Sequence, residues 1–163
     1  MDKLLIAYAS KHGSTLDVAE TIGAAIRETG VRVSLHEASG VEGLEEYDAV
    51  ILGAPIYMGR WHRDAHRFLR RHAGELEATP FAVFALGPLH DDPAEWTKAR
   101  AVLSSALEGR PAPAAVEVFG GKIDPAELRF PFSKMPAGDV RDWTAIDAWA
   151  LRLPALLAPA ATV

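Results

Sequence analysis

Five short apolar or alternating segments are interleaved with segments of helical period, and that order leaves few folds open to the chain. Residues 3–9, 48–54, 81–86 and 115–119 are almost wholly apolar, as in strands covered on both faces. Residues 31–37 alternate instead. Val31, Val33 and Leu35 lie on one side, Arg32, Ser34 and His36 on the other, which predicts a sheet edge. Leu16, Ala19, Ile22 and Ile26 recur at helical spacing before Gly30. Helices are also predicted over 62–74, 94–108 and 142–157, with a short acidic one over 41–47. Their inward faces are Ala65, Phe68, Leu69 and His72; then Trp96, Ala99, Val102, Leu103 and Ala106; then Trp143, Ile146, Trp149, Ala150, Leu153 and Leu157. Helices between buried strands require right-handed parallel crossovers. The prediction is a three-layer α/β/α sandwich around a five-stranded parallel sheet of order 2-1-3-4-5. The 163 residues, 49% of them apolar, suffice for one domain spanning 1–163.

Composition narrows the chemistry. Without cysteine there are no disulfides, thiolate nucleophiles or cysteine-ligated metals. A net charge of −5 argues against a general nucleic-acid binder. The first strand begins almost at Met1, so no secretory leader is expected, and no apolar stretch is long enough to span a bilayer. A cytoplasmic protein is expected.

In such sheets ligands bind at the carboxyl ends of the strands, where the strand order reverses. That rule brings the turn after the first strand beside the loop at 55–61 and the loop at 87–93. The turn holds Ser10, Lys11, His12, Gly13, Ser14 and Thr15 and opens a helix, with Ser14 and Asp17 spaced as a capping box. Free amides and a positive dipole end at such a turn suit a phosphate, and three hydroxyls add donors. The turn lacks both the GxxxxGK[ST] and the GxGxxG runs, so a phosphate monoester fits better than a triphosphate or dinucleotide. Tyr57 and Trp61 in the second loop are either packing residues or a platform for a planar ring, Trp61 preferred.

Other clusters carry less. His62 and His66 are four apart, but no third ligand of matching spacing follows, so no metal is expected. Asp91 and Asp92 read as turn residues beside Pro93. Residues 60–72 are strongly basic in an acidic chain, with Arg60, Arg63, Arg67, Arg70 and Arg71 along one side of the predicted helix. They form either a solvated face or a docking surface for an acidic partner or substrate.

The run Ser10-Lys11-His12-Gly13-Ser14-Thr15 resembles the phosphate loop of flavodoxins, Ser/Thr-x-Thr-Gly-x-Thr, with His12 standing where that family carries a threonine. The run from Gly53 to Trp61 is similar to the second loop of the flavodoxin-type, quinone-dependent protoporphyrinogen oxidases, as is Asp142-Trp143 before the last helix. Their long basic insertion after the last strand is matched by a shorter segment at 122–141, which keeps Lys122, Arg129, Phe130, Phe132 and Lys134. The resemblance implies non-covalent FMN. Its phosphate would lie on Ser10, Lys11, His12, Gly13, Ser14 and Thr15. Its ring would lie among Pro55, Ile56, Tyr57, Met58, Gly59, Trp61, Leu86, Gly87, Pro88, Leu89, His90 and Asp91. Asp91 or Asp92 beside the ring would disfavour its negatively charged reduced form and lower its potential. The implied role is an electron carrier with a redox partner protein, or an oxidoreductase acting on a small molecule or quinone. The alternative is a flavodoxin-fold binding module that has lost FMN.

Overall fold

The computed structural model describes residues 1–10, 13–123 and 137–159. Parallel strands β1 (Lys3–Tyr8), β2 (Arg32–Glu37), β3 (Ala49–Tyr57), β5 (Phe81–Leu86) and β6 (Ala115–Phe119) lie in the order β2-β1-β3-β5-β6. The two-residue β4 (Arg60–Trp61) folds back antiparallel on β3. Without that hairpin strand the order is the expected one. Helices α1 (Ser14–Arg27) and α5 (Trp143–Leu157) cover one face; α2 (Arg63–Arg71) and α4 (Pro93–Leu107) cover the other.

The pleat explains the two cores. Successive strand residues point to opposite faces. Leu4 and Ile6 of β1 pack with Val18, Ile22, Ile26, Trp149 and Leu153, while Leu5 and Ala7 pack with Phe68, Leu69 and Leu103. β3 and β5 are central, and Val50, Ile51, Leu52, Val83 and Phe84 are fully buried. β2 has only half-buried or exposed residues, as its alternating sequence requires at an edge.

Several local readings change. The loop expected at 55–61 is a hairpin: β3 runs on to Tyr57, Met58 and Gly59 take positive φ of 53° and 73°, and Ile56 pairs with Trp61. Two successive residues at positive φ make the tight connection whose twist matches the strands it joins. Residues 41–47 form no helix, and a single 3₁₀ turn occupies Ala38–Gly40 just before them. There Val41 and Leu44 tuck into the core, and the Leu44 amide donates to Glu75 Oε2 at 2.7 Å rather than to a helical carbonyl. The helix expected over 62–74 breaks at His72, giving α2 and the one-turn α3 (Ala73–Leu76). Trp143 does not point inward as expected; it is 38% exposed and lies against the Arg141 guanidinium, 4.7 Å from the ring centre. The segment expected to be irregular, 123–140, has at its base a short antiparallel ladder of β7 (Lys122–Ile123) and β8 (Gly138–Asp139); Arg129, Phe130, Phe132 and Lys134 lie outside the described residues. No helix among the described residues is long and apolar enough to cross a membrane.

Candidate functional site

The carboxyl ends of β1, β3, β5 and β6 open on one side of the sheet, and the segments that follow them meet there. After β1 the chain reaches Gly13 at φ 85°, and α1 starts at Ser14. A Cβ at Gly13 would meet nothing within 4 Å, so the glycine serves the backbone angle, not a tight contact. The expected capping box is absent: no side chain caps α1, and the Asp17 amide bonds the Gly13 carbonyl at 3.1 Å. The Ser10 hydroxyl accepts from the Gly13 amide at 2.8 Å, which closes the turn on itself. The missing cap leaves amides at the helix start without a side-chain acceptor. Thr15 adds a sharper signal. It is fully buried, and its Oγ1 has no hydrogen-bond partner among the described residues. A buried hydroxyl left alone costs about 1–3 kcal/mol, so its presence here fits a site built for an external acceptor. Lys11 and His12 lie outside the described residues.

From Ser14 a cavity of about 510 Å³ extends over the strand ends. Pro55, Ile56, Tyr57, Met58 and Gly59 of the β3–β4 hairpin form one wall. Leu86, Gly87, Pro88 and Leu89 form the floor; Gly121, Lys122 and Ile123 form another side. His62, just before α2, and Glu95, Lys98, Ala99 and Val102 of α4 complete it. Ten of the residues singled out from the sequence therefore share one space: Ser14, Pro55, Ile56, Tyr57, Met58, Gly59, Leu86, Gly87, Pro88 and Leu89. Met58, at the mouth, is 69% exposed. The walls are mainly aliphatic, which suits a flat, largely apolar molecule.

Trp61, His90, Asp91 and Asp92 fall elsewhere. Trp61 is not available as a ring platform: it is 3% exposed, its indole N–H donates to the Ala54 carbonyl at 3.1 Å, and its ring meets His66 edge-on at 5.6 Å. It belongs to the core on the α2 face of the sheet, with Phe68 and Leu69. His90 and Asp91 line a separate groove of about 500 Å³ with Trp96 and Arg100. Asp92 caps α4, accepting from the Ala94 amide at 3.0 Å. Neither aspartate lines the cavity, so the expectation that they lower a ring's potential loses its geometry.

The cavity's charged groups are instead Glu95, Lys98 and Lys122, which the sequence reading did not assign to the site. Positions 95, 98, 99 and 102 share one helical stripe, and that spacing is the signal that could have found them. Glu95 is already engaged. It accepts from the Leu89 amide, and its other oxygen meets His90 Nδ1 at 3.0 Å. The Leu89 amide, followed by His90, holds this carboxyl below its ordinary range. Lys98 and Lys122 are thus the cationic side chains that line the cavity among the described residues.

The arginines split. Arg67, Arg70 and Arg71 border a groove with Ala38, Ser39 and Asp64, whereas Arg60 and Arg63 line a shallow groove toward α4 with Trp61 and His66. They do not form the single line expected. Burial, then Arg110 and Arg70, lowers the pKa of His66. The described residues contain no group of side chains suited to hold a metal.

Comparison with known proteins agrees with the geometry. The model of the flavodoxin domain family matches residues 5–135. Protoporphyrinogen IX dehydrogenase [quinone] of Escherichia coli strain K12 is 28% identical over 86 residues, 52% of this chain and 48% of that protein. The match thus spans about half the length of that relative. Among solved structures, flavodoxin 2 of Bacillus cereus superposes with a TM-score of 0.64 at 22% identity, covering 94% of this chain and 98% of that one. A short-chain flavodoxin associated with a bacterial microcompartment gives 0.65 at 15% identity, with 97% and 100% covered. These structures share the fold, and the family match extends over most of the sequence: the chain belongs to the flavodoxin domain family.

Proposed function

We propose that this chain binds FMN without a covalent bond and works as a redox flavoprotein of the cytoplasm. The observation that carries the reading is the buried Thr15 hydroxyl at the start of α1, which has no partner among the described residues, at one end of an apolar cavity that begins at Ser14. A phosphate monoester on residues 10–15 and a planar ring among Ile56, Tyr57, Leu86, Gly87 and Leu89 account for both features. FMN, when bound, supplies reversible electron transfer. The chain's own residues do the rest. Amides at the α1 start and the Ser14 and Thr15 hydroxyls hold the phosphate. Aliphatic walls exclude water, and Lys98 and Lys122 stabilise negative charge in the cavity.

Of the two redox roles, oxidation of a small substrate fits this site better than a pure shuttle between proteins. The cavity pairs apolar walls with two lysines, a match for a mainly apolar molecule bearing carboxylates. Protoporphyrinogen, with its propionates, has that chemistry, and the E. coli relative is named for it. Hydrogen removed from the substrate would pass to a quinone. A shuttle's partner protein would instead be acidic and dock on Arg67, Arg70 and Arg71. An anaerobic assay of protoporphyrinogen with a quinone acceptor separates the roles. Turnover supports the oxidoreductase; a flavin-loaded protein without turnover leaves the shuttle. A protein that has lost FMN is the competing reading, and a Ser10→Ala, Thr15→Ala double variant tests it. Weaker FMN binding than in the parent supports the cofactor, and identical behaviour supports the loss.

A further inference from the structure

Arg141 lies on the last turn of chain before α5, far in sequence from the phosphate turn. Its side chain is nevertheless only 6% exposed and is committed to two carboxylates. Nε and Nη2 donate to the two oxygens of Asp139 at 2.9 Å each, and Nη1 donates to Asp17 Oδ2 at 3.2 Å. Asp17 sits in the first turn of α1, whose start carries the buried Thr15 hydroxyl, without a partner among the described residues. The Trp143 ring backs the guanidinium. The Val140 amide, next in the chain, bonds the Gly121 carbonyl at 3.0 Å, one residue before the Lys122–Ile123 wall of the cavity.

The charge arrangement is unusual for an anion site. A carboxylate in the first turn of a helix competes with any anion for the same positive end. Asp17 would oppose a phosphate at the α1 start. Arg141 offsets part of that opposition through a charge-assisted hydrogen bond from a guanidinium only 6% exposed to a carboxylate that is 54% exposed. Asp139 fixes the guanidinium from the other side, which explains why an arginine fork and not a lysine serves here.

We propose that Arg141 is a positioning residue for the cofactor phosphate: it offsets part of the Asp17 charge at the α1 start and so raises the preference for FMN over riboflavin. This rests on the FMN reading above. Arg141 need not touch the phosphate; it acts through Asp17. Loss of the cation leaves Asp17 and Asp139 uncompensated, and both then oppose a dianion but not a neutral ribityl chain.

The test is titration of the intact protein with FMN and, separately, with riboflavin, followed by quenching of flavin fluorescence. Arg141→Gln is expected to weaken FMN binding about tenfold and riboflavin binding less than about twofold. Asp17→Asn added to it is expected to recover most of the lost FMN affinity. An equal loss for both flavins, an unchanged FMN affinity, or no recovery in the double variant would overturn the proposal and leave Arg141 a structural tie. Should Arg141→Gln fail to fold, Asp17→Asn alone decides. Tighter FMN binding with riboflavin unchanged supports the charge offset, and unchanged or weaker FMN binding overturns it. A parent protein that binds neither flavin refutes the cofactor reading itself, before Arg141 comes into question.

Discussion

The indole N–H of Trp61 donates to the carbonyl of Ala54 at 3.1 Å, across the hairpin that forms one wall of the cavity. The aromatic that the sequence offered as a platform for a ring is therefore a strut beneath the wall. Trp61→Phe keeps most of the packing and loses this buried hydrogen bond, so it is expected to destabilise by about 1–2 kcal/mol. Trp61→Ala should cost about 3–5 kcal/mol. Urea unfolding measures both. FMN affinity of Trp61→Phe should stay within about threefold of the parent's, whereas a stacking residue would cost more.

Thr15→Val separates cofactor binding from folding. Without ligand, replacing by a methyl a buried hydroxyl that has no partner among the described residues should leave stability unchanged or raise it by up to about 1 kcal/mol. With FMN, the loss of a phosphate donor should weaken binding about tenfold, a change of roughly 1–1.5 kcal/mol. Thermal melts with and without FMN read both effects, and the variant should show a smaller ligand-induced shift in Tm.

Gly53 admits no side chain. A Cβ there would lie 2.0 Å from Cζ of Phe84, whose ring is itself fixed against Phe119 and Trp149. Gly53→Ala is expected to destabilise by about 1–3 kcal/mol, from overpacking between β3 and β5. Because β3 continues into the hairpin, FMN affinity should fall as well. Chemical denaturation and flavin titration of the same sample give the two numbers.

Among the described residues, Lys98 and Lys122 are the cationic side chains lining the cavity, while Glu95 is held by the Leu89 amide and His90. They favour the negatively charged reduced ring, and replacing both by Gln should lower the two-electron midpoint potential by about 30–60 mV. Replacing Asp91 and Asp92 by Asn should have a smaller effect, because neither lines the cavity. Spectroelectrochemistry at fixed ionic strength distinguishes these outcomes.

Glu95 gives the site an acid limit. Its folded pKa is depressed from the ordinary 4.5, first by the Leu89 amide and then by His90. The stability it contributes is therefore present above that unfolded value, and it is lost as pH falls below it and through the depressed folded value. Glu95→Gln should remove this part of the pH dependence below about pH 4.5 while leaving the neutral-pH fold intact. Circular dichroism melts from pH 3 to 7 follow it, and an unchanged acid limb would contradict the assignment.

What the sequence made legible was whatever periodicity governs. The four apolar strands, the wetter edge strand and the inward faces of α2 and α4 follow from side-chain direction alone. The hairpin at 57–60 was not legible, because Met58-Gly59 is an uncommon pair for two positive φ angles. Its omission also cost the correct placement of Trp61, which the hairpin pairs with Ile56. Residues 41–47 carried acidic, helix-compatible composition, but a long-range bond from Leu44 to Glu75 decided their shape. Arg141 and its two carboxylates were equally hidden, since Asp17 lies 124 positions away. Contacts of that kind leave no local period to read.

The turn at Ser10–Thr15 and the cavity beyond it are proposed to hold FMN. Titrating FMN with the purified protein while recording flavin fluorescence and visible absorption tests it most directly. The account predicts saturable quenching at one FMN per chain, a shifted absorption envelope, and clearly weaker binding of riboflavin. Flavin fluorescence and absorption that stay those of free FMN at saturating protein would contradict it.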